Sequence, residues 1–236
     1  MAIARSVIVV LVLLLSAISA EAHDYWFMTD GDDYLLHRGH RYSQHGGEKE
    51  VPFDPAIITA TYCLGRGDTR PRSAEISSDY PARVKGPCLA VLVTADSGYW
   101  SQTLTGTKNQ SKNELYGVLR SWQARESMKR VEAWDERLRL PLSDELELVF
   151  SENPFDAKPG DKLRLVAVLG GKPVQGVTVA YDGDPRGVTG ADGKVNLRVR
   201  HPGMQVITAS LERPLDNAKA DKLVRSTVLM FELPQR

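Results

Sequence analysis

The sequence predicts an all-β protein: two tandem β-sandwich domains with one short helix. Three observations lead there. Runs rich in Val, Ile, Leu, Thr and aromatics recur at Ala90 to Thr94, Leu146 to Phe150, Leu163 to Leu169, Val177 to Tyr181, Lys194 to Val199, Val206 to Leu211 and Ser226 to Leu233. Gly, Pro and Asp clusters separate them at the short spacing of a sandwich. Only the stretch from Ser121 to Leu138 departs from this pattern. There apolar Trp122, Met128, Val131, Trp134 and Leu138 fall at roughly helical intervals among Arg, Glu and Lys, which predicts one amphipathic helix.

At the amino end, residues 1–22 read as a signal peptide, with Arg5 in the n-region, an apolar h-region from Val7 to Ile18 and Ala20-Glu21-Ala22 as a small-x-small cleavage site. The h-region is too short for a membrane span and no later apolar run approaches that length, so a soluble exported chain is expected, periplasmic or secreted and not membrane-embedded after processing. The mature chain would begin His23-Asp24-Tyr25-Trp26-Phe27. A terminal histidine offers its amine and its imidazole to one metal ion. Cleavage after Ala20 would instead leave Glu21-Ala22-His23, whose nitrogens suit copper(II) or nickel(II) in a square plane.

The expected N-terminal β domain spans residues 23–142, with a boundary near Pro141 to Asp144, and the C-terminal domain spans 143–236. Leu36-His-Arg-Gly-His40, leading to Gly46-Gly47, loosely echoes Asp156-Ala-Lys-Pro-Gly-Asp161, leading to Gly170-Gly171. Both look like the opening turn of an immunoglobulin-like sandwich. In the second half, a strand pair, an Asp192-Gly193 hairpin turn and a Pro202-Gly203 turn into a final hairpin describe a carboxypeptidase-regulatory or transthyretin-like sandwich.

Among 236 residues, 30 basic and 30 acidic side chains balance, and cleavage removes one of each, Arg5 and Glu21. Neutrality argues against nucleic acid or an anionic membrane surface as the main partner, because both favour a basic excess. Cys63 and Cys88 are the two cysteines. In an oxidising compartment such a pair is expected to form a disulfide, stabilising the fold by roughly 3 kcal/mol.

Several motifs run through the mature chain: His23-Asp-Tyr-Trp-Phe27, Glu48-Lys-Glu-Val-Pro-Phe-Asp-Pro55, Asp96-Ser-Gly-Tyr-Trp100, Leu146-Glu-Leu-Val-Phe-Ser-Glu-Asn-Pro154, Lys158-Pro-Gly-Asp161, Gly171-Lys-Pro173 and Ala191-Asp-Gly193. In order and spacing they resemble a domain-of-unknown-function family of exported proteins described as soluble periplasmic components of nickel and cobalt transport. The resemblance implies a divalent metal ion as cargo and a membrane metal transporter as partner.

Histidine placement points the same way. His23, His37, His40 and His45 fall early in the mature chain and only His201 lies elsewhere. His45, in Ser43-Gln-His-Gly-Gly47, resembles a Gly-His-Gly loop of the family and ranks second as a ligand after His23. His40 occupies a solvated turn position, and His37 flanks the Arg38-Gly39 turn, where it could face His40 across a hairpin. A surface pair is the plainer reading of those two. His201 before Pro202-Gly203 reads as a turn residue, and Asp30, Asp32 and Asp33 as a polar turn without calcium-loop spacing. Asn109-Gln110-Ser111 fits a glycosylation sequon, a pattern common by chance.

No Gly-x-Ser-x-Gly elbow, phosphate loop or His-Glu-x-x-His helix occurs, so a non-enzyme is expected. The sequence favours a periplasmic nickel- or cobalt-binding protein, with copper as the alternative ion, supporting a membrane transporter. Two other readings stand beside it: a structural or adhesive tandem sandwich with incidental histidines, and a copper oxidase built on a terminal histidine brace.

Overall fold

Alternation of inward and outward side chains organises the protein around one long sheet. The computed structural model describes residues 24–41, 48–215 and 217–235. Its strands are β1 (Asp24–Asp30), β2 (Asp33–Gly39), β3 (Ile58–Leu64), β4 (Arg72–Ser73), β5 (Ala82–Val84), β6 (Ala90–Thr103), β7 (Gly106–Lys108) and β8 (Val118–Val131). There follow β9 (Glu147–Phe150), β10 (Lys162–Leu169), β11 (Lys172–Pro173), β12 (Thr178–Tyr181), β13 (Asp184–Val188), β14 (Lys194–Arg198), β15 (Gly203–Pro214) and β16 (Lys222–Leu233).

These strands form three sheets. A nine-stranded sheet runs β13-β12-β15-β16-β8-β6-β3-β4, with β7 pairing β6. A four-stranded sheet holds β9, β10, β11 and β14, and a three-stranded sheet runs β1-β2-β5. Successive residues of a strand face opposite ways, and the long sheet uses both faces. Leu229 and Phe231 of β16 join Leu92, Val131, Ile207 and Val179 in a core with Leu148, Leu165 and Leu197 of the four-stranded sheet. On the other face, Val91, Val93 and Met128 pack with Tyr25, Phe27, Tyr34 and Leu36 of the β1–β2 hairpin. The alternate β16 residues Val228 and Met230 bury Trp26. The two sandwiches therefore share their middle layer.

The expected division at 142/143 falls in the segment before β9, and the central sheet runs across it. β16 pairs in parallel with β8, from Lys222↔Trp122 to Phe231↔Val131. The seven strand runs foreseen correspond to β6, β9, β10, β12, β14, β15 and β16, with β15 extended at both ends and β6, β10 and β16 at one.

The helix expected over Ser121 to Leu138 is instead strand β8, followed by a single 3-10 turn at Glu136–Arg139. β8 lies between β6 and β16, and from Ser127 to Val131 both of its faces are covered, so period-2 alternation of apolar residues disappears there. Its polar residues Ser127, Lys129 and Arg130 mimic the wet side of a helix yet are buried with partners. Ser127 Oγ donates to the Leu146 carbonyl, Lys129 Nζ meets Glu147 Oε2 at 2.9 Å, and Arg130 Nη1 donates to the Phe27 carbonyl at 3.3 Å. Glu147 also accepts from the Leu142 and Ser143 backbone N–H groups, which satisfies a carboxylate that burial would otherwise destabilise.

The module echo is also corrected, because Leu36 to Gly39 lie inside β2 rather than in a turn. The turn around Asp192-Gly193 joins β13 to β14, which belong to different sheets, so it arches between layers and closes no hairpin. Pro202-Gly203 does lead into the β15–β16 hairpin. Cys63 and Cys88 form the expected disulfide, Cα–Cα 5.5 Å, in the core under the three-stranded sheet. Asn109 of the sequon donates from Nδ2 to the carbonyls of Ser97 and Tyr99, holding the bulge between Asp96 and Gly98.

Candidate metal centre

His37 sits inside β2, opposite Trp26 of β1. Same-face side chains of directly opposed antiparallel residues approach closely, and the imidazole stacks on the indole with centroids 5.6 Å apart and planes 9° from parallel. The side chain is 9% exposed.

The chain returns to it by a close approach. His40 N–H donates to the Lys49 carbonyl at 3.2 Å and Val51 N–H to the Arg38 carbonyl at 2.7 Å, so residues 49–51 run against the end of β2. Gly39 permits this. It has φ +149°, and a Cβ there would stand 2.4 Å from the Lys49 carbonyl oxygen. Glu50 is thereby brought to His37, its Oε1 2.8 Å from Nδ1. The Tyr80 hydroxyl donates to the same oxygen at 2.9 Å, and the Tyr80 ring meets the imidazole edge-on at 6.0 Å. Phe53 braces Tyr80 from its far side, centroids 5.4 Å apart.

Charge follows geometry. The hydrogen bond from His37, foremost, outweighs desolvation and, with that from Tyr80, holds the Glu50 carboxyl below its usual range. Burial, with the bond to Glu50, pushes the Tyr80 hydroxyl up to about 12. An ionised carboxylate only accepts, so it places the imidazole proton on Nδ1 and leaves the lone pair on Nε2. That atom is buried and has no hydrogen-bond partner among the described residues. A carboxylate on one ring nitrogen with the other left open is the arrangement that orients metal-ligating histidines.

The other predicted residues are placed as follows. His40 comes just after β2, continuing the chain from the strand that carries His37, so the two do not face each other across a hairpin. His23 and His45 lie outside the described residues, as does the signal peptide expected over 1–22. Their described neighbours gather at one end of the β1–β2 hairpin: Asp24 pairs with Gly39, and Arg41 directly follows His40. Among the described residues, no three His, Cys, Asp or Glu side chains converge as a metal-holding group.

His201 is the turn residue expected, with Nε2 2.9 Å from Asp182 and Nδ1 2.8 Å from the Pro202 carbonyl. Asp30 and Asp33 pair with Arg83, and Asp33 also with Lys85. The Lys85 hydrogen bond, foremost, and that of the Gly86 N–H lower Asp33 to about 2. They form a polar, ion-paired turn.

Sequence reasoning missed Glu50, Tyr80 and Trp26 as the surroundings of His37. Glu50 did stand within a quoted motif, but nothing local joins residues 37, 50 and 80. It missed Glu126 too. Burial pushes this carboxyl up to about 7, the Ser97 hydrogen bonds opposing; its Oε2 is unpartnered while Ser97 Oγ donates to Oε1 at 2.8 Å.

A family model described as a domain of unknown function (DUF4198) matches residues 20–213. No curated protein matches the chain. Among solved structures, the D0-D1 domain of Intimin is similar at 12% identity over 86% of this chain and 91% of that chain, with a TM-score of 0.22. A likeness at that score carries no argument about function.

Proposed function

The chain belongs to the DUF4198 family of domains of unknown function, and from that premise we propose that it is an exported divalent transition-metal-binding protein. Its ion is nickel or cobalt, with copper as the alternative, and it delivers that ion to a membrane metal transporter from the periplasm or the extracellular space. It is not an enzyme in this reading.

One observation carries the proposal: the His37 ring is locked by Glu50 with its Nε2 lone pair buried and unpartnered among the described residues. A buried polar atom left without a partner is unfavourable by roughly 1–3 kcal/mol, and a bound ion removes that penalty. Imidazole suits zinc, copper, iron and nickel. His37 therefore leads the set. The remaining donors in this reading are His23, with the amine that signal-peptide removal would free, together with His45 and His40.

Calorimetric titration of nickel, cobalt and copper into the exported protein tests it. His37→Ala and His23→Ala should each weaken binding strongly, and His201→Ala should not. Equal binding by all variants, or none by the unaltered protein, would leave a structural tandem sandwich as the better account.

A further inference from the structure

Six large apolar side chains are exposed among the described residues, and three of them, including the two most exposed, share one end of the molecule. They are Tyr116 at 100%, Leu104 at 86% and Leu119 at 62%. Register explains why they meet. β6 and β8 pair as far as Gln102↔Arg120 and Thr103↔Val118, and the shift between those pairs leaves Leu119 as an extra residue on β8. Such a bulge re-aims a side chain out of the sheet. Leu104 begins the turn from β6 into β7, and Tyr116 stands two residues before the start of β8.

The charge around them is basic. Residues 104–120 contain Lys108, Lys112 and Arg120 against Glu114, three minus one, in a chain whose net charge is zero. Lys112 is paired with Asp221. That leaves Lys108 and Arg120 as exposed cations against the exposed carboxylate of Glu114, a net positive charge of one, two minus one, beside the apolar tip.

We infer that this end of the β6–β8 ladder is a membrane-contact surface that seats on an anionic phospholipid bilayer. A phenol and two leucyl side chains suit the boundary between headgroup and acyl chain, where tyrosine is enriched and apolar side chains insert shallowly. Lys108 and Arg120 lie where anionic headgroups attract them. The apolar residues stand on a turn, a loop and a bulge. A protein partner recognises a complementary surface, whereas a bilayer needs no matching shape. The contact is peripheral, since no helix among the described residues is long and apolar enough to cross a membrane. Net neutrality of the chain does not oppose it, because charge near the surface acts within about 10 Å. This inference is independent of metal binding.

Co-sedimentation of the full exported chain with vesicles is the test. Binding to phosphatidylglycerol-containing vesicles should exceed binding to pure phosphatidylcholine and fall with added salt. Combining Leu104→Ser, Tyr116→Ser and Leu119→Ser should lower bound protein about tenfold, with an unchanged melting temperature, whereas Leu140→Ser should bind as the parent does. Lys108→Glu with Arg120→Glu should abolish the lipid preference. As a readout independent of that triple variant, a polarity-sensitive label on Leu104→Cys should report an apolar environment when vesicles are added. No sedimentation with either lipid, parental binding by the triple variant, an unresponsive label, or binding only to vesicles that carry a membrane protein would each overturn the inference.

Discussion

Glu50 Oε1 lies 2.8 Å from His37 Nδ1 while also accepting from Tyr80, so one carboxylate oxygen sets the tautomer of a buried imidazole. Removing that acceptor should alter metal affinity without touching a ligand atom. Glu50→Ala is expected to weaken nickel or cobalt binding by about 10- to 100-fold, the usual effect of losing such an outer partner. Thermal stability should barely move, because Glu50 is half exposed. Parental affinity in titration calorimetry would refute the assignment of His37 as a ligand.

Metal affinity should fall as pH drops through the imidazole range near 6.5, because only neutral imidazole binds and the freed amine must also lose its proton. Titrations at a series of pH values check this. A flat profile between about pH 8 and 5 would point to carboxylate rather than histidine donors.

Glu126 offers a separate pH signature. Its folded value is raised from 4.5 to about 7 by burial, so the folded state holds its proton more tightly than the unfolded one. Below 4.5 both states are protonated and stability is unaffected. As pH rises through 7 the buried carboxylate forms and stability is lost. Glu126→Gln should therefore stabilise the protein by about 2–3 kcal/mol at pH 8 and have little effect at pH 4. Denaturant melts at the two pH values measure the difference, and an equal effect at both would sink the argument.

The Lys129–Glu147 pair is buried on both sides, 2% and 0% exposed. Lys129→Met should destabilise by about 3–5 kcal/mol, since it strands a carboxylate among apolar side chains. Adding Glu147→Gln should recover part of that loss, as the neutral amide still accepts from Leu142 and Ser143. Chemical denaturation of the single and double variants decides it; no recovery would mean that packing dominates.

Replacing Cys63 and Cys88 with Ala should lower stability by roughly 3 kcal/mol. Metal binding should survive, because the bridge lies in the core beneath the three-stranded sheet rather than at His37. Loss of both properties together would tie the metal centre to that core.

Much of the fold was legible where one face of a strand is wet. β14 alternates buried Val195 and Leu197 with exposed Lys194, Asn196 and Arg198, and such a strand declares itself locally. β8 did not. Ser127, Lys129 and Arg130 look like a solvated face until Leu146, Glu147 and Phe27 are known to stand over them. The candidate site divides in the same way: a histidine-rich early segment was visible, but the member distinguished by an open ring nitrogen was not.

The sequence by itself determined the all-β class, most strand positions, the Cys63–Cys88 pair and the turn role of His201, because these rest on local periodicity, turn chemistry and a unique pair of thiols. Only the tertiary structure decided that β16 lies parallel to β8, that β8 is a strand, and that Glu50 and Tyr80 close on His37. Each of those depends on contacts between residues far apart in the chain, set by which faces must be buried together and by the passage of Lys49 across Gly39, where a side chain would not fit.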